Sequence, residues 1–455
     1  MDRRIFLGSA VASAVGATLT ACGGGGSDPG LDPAASMERS RTTTTTAVTA
    51  SATAKSRVIV IGGGMGGATV AKYLRLWGDA ISVTLVERMP TYTSNIMSSL
   101  VLSGQRTLSS LSYNYDTLRS KYGITTVFGE VVAIDPVNVA VTLADGTVLK
   151  ADRIVMAPGI SFDTVPGLGS SDKMPHAWQA GPQTALLASQ LKAMTAGLNH
   201  NVVLTIPKTP YRCPPGPYER ACLIADWLKV NKPGSKLLVL DANPGIVTEV
   251  DNFTRAFVDL HGAVIEYYPN AEIAEVSTDT MSLKTTSGAV FRGDVINMIP
   301  RQRAGALVTT AGLNNATEGR FAGVNVLSYA STVSGAGKVH IIGDASATTQ
   351  PKAGHIANQE AKVCADAISR ILSGGSPDPA PVTNSACFST ITMTQASWLT
   401  AVFQYNPAWT NPATGTTGPA MVPVAASSAA STGWNGDNFA EMGTWFKTLM
   451  ADSFA

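Results

Sequence analysis

Cys213 stands in the run Pro210-Tyr211-Arg212-Cys213-Pro214-Pro215-Gly216-Pro217-Tyr218-Glu219-Arg220, which places a thiol, two guanidinium groups and a carboxylate close together along the chain. Prolines 214, 215 and 217 fix φ and remove backbone donors, so the segment is a stiff frame for the cysteine and cannot cradle a phosphate with its amides. A thiol held this way can act as a nucleophile or exchange with a disulfide. A structural thiol is the alternative reading. Glu219, six residues on, is a candidate proton acceptor, although a glutamate opening a helix can serve the helix dipole alone. Residues 201–216 carry no second glycine fingerprint, so something other than NAD(P)H is expected to reach the cofactor here.

The elements that must position this cysteine begin with a cofactor loop. Arg57-Val58-Ile59-Val60-Ile61 reads as a buried strand, Gly62-Gly63-Gly64-Met65-Gly66-Gly67 as G-x-G-x-x-G, and Ala68 to Trp77 as an amphipathic helix. A second strand, Ile81 to Val86, is closed by Glu87, twenty residues after Gly67, where it can bind an adenosine ribose. A glycine turn that only packs a helix on a sheet is the plainer alternative. Gly62, Gly64, Met65, Gly67, Glu87, Arg88 and Val132 are the expected contacts on this side. Two strand exits select FAD over NAD: Arg153–Met156 runs into Ala157-Pro158-Gly159, and Val339–Ile342 runs into Gly343-Asp344, about 280 residues after the first loop. In flavoproteins with two dinucleotide domains such an aspartate accepts from a ribityl hydroxyl. Lys352-Ala353-Gly354-His355 then opens a helix to about Leu372, whose N-terminal amides can stabilise negative charge on a reduced flavin ring.

These segments, with Asn297-Met298-Ile299-Pro300, Pro351-Lys352 and Asn384-Ser385-Ala386-Cys387-Phe388-Ser389, resemble the flavoprotein subunit of flavocytochrome c sulfide dehydrogenase from about residue 56 to the C-terminus. The Cys213 segment and the tail around Trp445-Phe446 are the specific parts; the glycine motifs belong to the whole glutathione-reductase-like superfamily. The resemblance implies an α/β fold of two Rossmann-like dinucleotide-binding domains plus a C-terminal flavin-covering α+β domain. FAD would be bound by segments 56–165 and 301–378, a second dinucleotide-like domain without an NAD site would span 166–300, and the C-terminal domain 379–455.

It also implies that Cys213 and Cys387 form a redox-active disulfide beside the flavin, with Cys222 and Cys364 as buried apolar side chains. Hydrosulfide or polysulfide would attack that disulfide, the flavin would take two electrons, and zero-valent sulfur would leave. No C-x-x-C-H for covalent haem is present, so a separate c-type cytochrome is the implied acceptor. Trp398 and Trp445 could line an exit for electrons, but apolar packing explains them as well. Two departures are visible. Asn95, in Tyr92-Thr93-Ser94-Asn95-Ile96-Met97, stands where the family often has the cysteine that bonds the flavin methyl, so FAD is expected to be non-covalent; Arg301 stands where proline is common.

With 455 residues, 45% hydrophobic and 14% charged, the chain can fill several cores, and a net charge of +1 with no basic run argues against nucleic acid. Arg3-Arg4-Ile5-Phe6-Leu7 before a weakly apolar run reads as a twin-arginine export signal, ending at about Cys22, and implies a periplasmic location. Leu19-Thr20-Ala21-Cys22-Gly23 resembles a lipobox that would give a lipid anchor through Cys22; cleavage nearby by ordinary signal peptidase is the alternative. Residues 23–55 read as a flexible tether. His176, His200, His261, His340 and His355 lack ligand spacing, so no metal is expected, although His355 beside the helix start could aid proton traffic. A quinone-reducing sulfide oxidoreductase and a non-catalytic flavin-binding partner of a sulfur-oxidising complex are the other functional readings.

Overall fold

Val58 to Ile61 are buried because their strand, Ser56–Ile61, lies inside a sheet, paired in parallel with Ile81–Glu87 on one side and Arg153–Met156 on the other. The computed structural model describes residues 54–78 and 80–455; the expected export signal, Cys22 and most of the expected tether lie outside them. The full sheet has eight strands, in the order Ser346–Ala347, Ala322–Asn325, Ala330–Ser331, Val339–Ile341, Arg153–Met156, Ser56–Ile61, Ile81–Glu87 and Thr125–Phe128. It therefore joins two stretches of chain separated by more than 150 residues. Helices Met65–Trp77, Gly354–Leu372 and Gly436–Phe454 share one core over this sheet. A second core lies under the antiparallel strands Val131–Asp135, Ala140–Leu143 and Val148–Lys150.

A second, four-stranded parallel sheet runs Ile265–Tyr268, Lys236–Asp241, Asn201–Ile206, Val295–Asn297. Where a nucleotide fold would place its glycine loop after the first strand, this one has the Cys213 segment and then helix Gly216–Asn231. The acid closing the next strand, Asp241, is fully buried. One of its carboxylate oxygens accepts from the hydroxyls of Tyr218 (2.8 Å) and Tyr267 (2.7 Å), and the other from Asn243, so both oxygens are spent inside the protein.

The last sheet is antiparallel: Val382–Thr390, Ala396–Thr410 and Thr417–Pro423. Its first strand carries Cys387. Helix Gly436–Phe454 follows, capped by Asn435, whose side chain accepts from the Asn438 amide. No described helix is long and apolar enough to cross a membrane.

Candidate active site

The glycine loop closes tightly. Gly62 has φ +94°, and a Cβ placed on Gly67 would stand 1.7 Å from the Gly62 carbonyl oxygen, so neither position admits a side chain. Helix Met65–Trp77 starts at Gly64 without any side-chain cap, and its first-turn amides face the cavity that Gly64 and Met65 line. Glu87 sits under the same turn: one carboxylate oxygen accepts from the Gly63 amide (2.6 Å), the other from those of Arg88 and Met89.

The opposite wall comes from the second chain segment. Ala157, Gly159, Gly343, Asp344 and Gly354 line the cavity, and helix Gly354–Leu372 likewise begins without a side-chain cap. Asp344 lines the cavity and its Oδ1 is buried with no hydrogen-bond partner, an acceptor left for a ligand hydroxyl. Two uncapped helix starts, a closed glycine turn and an orphaned carboxylate oxygen fit FAD.

The two candidate cysteines line the same cavity. Cys213 and Cys387, which are 174 residues apart, both reach it, and in this structure both are free thiols. Cys213 adopts the left-handed conformation at φ 59°, a strained state for a non-glycine residue, and its neighbours over-determine it. Its amide donates to the Lys352 carbonyl (2.6 Å), its carbonyl accepts from Gly216 (2.9 Å), and a Cβ on Gly216 would meet the Cys213 sulfur at 2.8 Å. Pro215 and Pro217 start the helix that follows.

Two cations flank the thiols. Arg212 reaches Asn95 Oδ1 (3.3 Å) and lies 4.0 Å from Asp344. Arg220 is buried, stacks 4.6 Å over the Trp178 ring and bonds Ser99, Asn297 and the carbonyls of His176 and Ala177. Burial lowers its pKa only to about 10, so it stays charged at neutral pH. Neither arginine was singled out for a role from the sequence alone; only their bonds across three chain segments assign one.

Burial, then the nearby Glu219 charge, pushes the Cys213 thiol up to about 12 against the pull of Arg212. Cys387 is held well above the ordinary thiol range by burial, then by Cys213, Glu249 and Glu219. Burial also raises Glu219 to about 7, opposed by the Thr390 hydroxyl, which donates to it at 2.9 Å, and by Arg220.

A carboxyl whose folded pKa is raised binds more protons folded than unfolded between its ordinary value and about 7, so its ionisation costs stability as pH rises through that window. Glu219→Gln is therefore expected to be more stable than wild type by about 2 kcal/mol at about pH 8, the shift being discounted for the opening to the cavity. The gain should vanish below the ordinary carboxylate range. Denaturant midpoints at the two pH values check it.

Asn95 also lines the cavity, its Oδ1 accepting from the Ala180 amide (2.7 Å) and from Arg212. A carboxamide in this setting is no nucleophile toward a flavin methyl. Acid precipitation is expected to leave a colourless pellet with all the FAD in the supernatant.

Not every expected residue meets the cavity. Val132 does not: a bulge shifts the register between Val131 and Ala133 and turns Val132 to solvent, on the far strand set. Arg88 is exposed, 3.9 Å from Glu130. Pro158 backs Gly305 rather than the cavity, and the Lys352 amine turns away to the Ser346 carbonyl (2.6 Å) and the Phe321 ring. Trp445 lines the cavity against Phe388 and His355, whereas Trp398 is not among the lining residues. His355 Nδ1 lies 3.0 Å from the Ala386 amide, which makes it an acceptor, and burial lowers its pKa, keeping the ring neutral. Arg301 pairs with Glu318 (3.7 Å). Among the described residues no group of His, Cys, Asp or Glu is placed to hold a metal.

A family model for the central part of the sulfide dehydrogenase [flavocytochrome c] flavoprotein chain matches residues 184–300, which contain the Cys213 frame, and a pyridine nucleotide-disulphide oxidoreductase model matches 56–195. The sulfide dehydrogenase [flavocytochrome c] flavoprotein chain of Chlorobaculum thiosulfatiphilum is 51% identical over 45 residues, which is 10% of this chain and 94% of that sequence. Ferroptosis suppressor protein 1 of Taeniopygia guttata is 33% identical over 105 residues, 23% of this chain; the match spans only 26% of that relative. Among solved structures, the sulfide:quinone oxidoreductase of the hyperthermophilic bacterium Aquifex aeolicus superposes with a TM-score of 0.68 at 17% identity, covering 88% of this chain and 91% of that one, a likeness of fold. The cofactor is FAD, and with the Cys213 frame inside the matched central part, the chain belongs to the family of flavoprotein chains of flavocytochrome c sulfide dehydrogenase.

Proposed function

We propose that this flavoprotein oxidises sulfide or polysulfide to zero-valent sulfur through the Cys213–Cys387 pair and passes the electrons to a separate c-type cytochrome. The observation that carries the reading is that both thiols, Glu219, Arg212 and Arg220 share one cavity with the glycine loop and Asp344. Gly62, Gly64, Gly67, Glu87, Asp344 and Gly354 would hold FAD, which supplies a two-electron acceptor able to release electrons singly.

Hydrosulfide is an anion, and two buried guanidinium groups raise its local concentration at the sulfurs. In the oxidised pair, hydrosulfide attacks one sulfur, the S–S bond breaks, and the attacked cysteine becomes a persulfide. The departing sulfur is a poor anion where burial holds the Cys213 thiol near 12 and the Cys387 thiol well above its ordinary range, so it leaves more readily if it receives a proton. Glu219, poised at about 7, is the group at hand to give that proton and to take it back as the sulfur is oxidised. Trp178, Phe388 and Trp445 keep bulk water from the sulfurs.

The twin-arginine signal fits export of a protein already folded around FAD. The test is anaerobic titration of the signal-less protein with sulfide while the flavin band is followed, then reoxidation by cytochrome c or by a short-chain quinone. Bleaching reversed by cytochrome c is the expected result. Reversal by quinone alone would move the acceptor into the membrane, and no bleaching would overturn the sulfide reading.

A further inference from the structure

Glu249 is a second carboxylate, half-buried and bonded to Ser389 two residues from Cys387. It belongs to the other dinucleotide-like domain, caps the helix Val250–Arg255, and takes the left-handed conformation (φ 44°, ψ 43°), in which a glutamate persists only when its surroundings impose it. What imposes it is a pair of serines facing each other across two strands, Ser389 and Ser397. Each hydroxyl donates to one Glu249 oxygen at 2.6 Å, and both serines are fully buried. Ser389 is two residues from Cys387, and the next residue, Thr390, spends its hydroxyl on Glu219. One strand thus carries a sulfur, one of the two Glu249 clamps and the Glu219 clamp.

We propose that Glu249 is the second half of a two-carboxylate proton store serving the thiol pair, with Glu219 facing Cys213 and Glu249 facing Cys387. The groups around Glu219 are Cys213, Cys387, Cys222, Arg220 and Glu249; those around Glu249 are Cys387, Cys222 and Glu219, and Arg212 and Asp344 face Cys213 from the flavin side. The Glu249 charge raises the hold of Glu219 on its proton, and the converse follows because the two charges act on each other alike. Glu249 is accordingly a positioning residue, acting on the reacting sulfurs through charge. The need for such a store rests on the reading given above: hydrosulfide loses two electrons and one proton in becoming zero-valent sulfur, the flavin would take both electrons and one proton, and the carboxylates would hold that proton between the sulfurs and the flavin.

The experiment uses the reduced, FAD-loaded protein without sulfide. Alkylation of Cys387 and Cys213 by iodoacetamide is followed by peptide mass at one fixed pH, where rate tracks the thiolate fraction. Removing the neighbouring charge lowers the thiol pKa, so Glu249→Gln is expected to speed alkylation of Cys387 about threefold to tenfold and that of Cys213 less. Glu219→Gln should reverse that order, and Glu249→Asp, which keeps the charge, should stay near wild type. Unchanged Cys387 alkylation in a Glu249→Gln protein that keeps its flavin spectrum and Tm would reduce Glu249 to a strut between domains and overturn the proposal. Because no sulfide is used, failure of wild type to bleach with sulfide sinks the substrate reading separately. Where bleaching does occur, the limb of its rate that falls with rising pH should move to lower pH in Glu249→Gln.

Discussion

Cys213→Ser is expected to slow sulfide-driven bleaching of the flavin at least about a thousandfold while leaving the oxidised flavin spectrum intact. A serine hydroxyl cannot form or break a disulfide, and its oxygen is no acceptor of a sulfur atom, so the first bond-making step is lost rather than weakened. The side chain is nearly isosteric and sits on a backbone held by Lys352 and Gly216, so the cavity should keep its shape. Cys387→Ser should lose as much, and the double variant no more than either alone, because the two sulfurs act as one unit. Stopped-flow reduction of the three variants decides this. Losses that multiply in the double variant would mean that the cysteines act separately.

The other large effect is expected at the glycine loop. Gly67→Ala puts a methyl group 1.7 Å from the Gly62 carbonyl oxygen, which is backbone and cannot swing aside. The turn must open, displacing the amides that face the cofactor phosphates. We expect a cost of about 3 kcal/mol or more, read as FAD affinity reduced at least about a hundredfold and as a lower Tm. Gly443→Ala, where an added Cβ meets nothing within 4 Å, is the control and should keep its flavin. Fluorescence titration of apoprotein with FAD measures both. A Gly67→Ala protein that binds FAD normally would show that the turn has slack the geometry denies.

Much of the cofactor half was legible because its signals are local. Strand, glycine turn, helix, strand and acid follow one another within thirty-one residues, Arg57 to Glu87, and each is set by neighbours in sequence. Val132 shows where such reading ends, since a single bulge turned it outward and no local pattern announces which of two adjacent valines faces in.

By itself, the sequence determined the dinucleotide loop and the proline frame around Cys213, both properties of residue type and short spacing, and its resemblance to the family implied that the flavin-linking cysteine is missing at position 95. Only the tertiary structure decided that Cys213 and Cys387 share one wall, that Arg212 and Arg220 flank them, and that Glu249 comes in from a distant chain segment between two serines. Those meetings depend on strand register in separate sheets and on domain packing, and a side chain's partner across 100 or more residues is set by that packing, not by its neighbours along the chain.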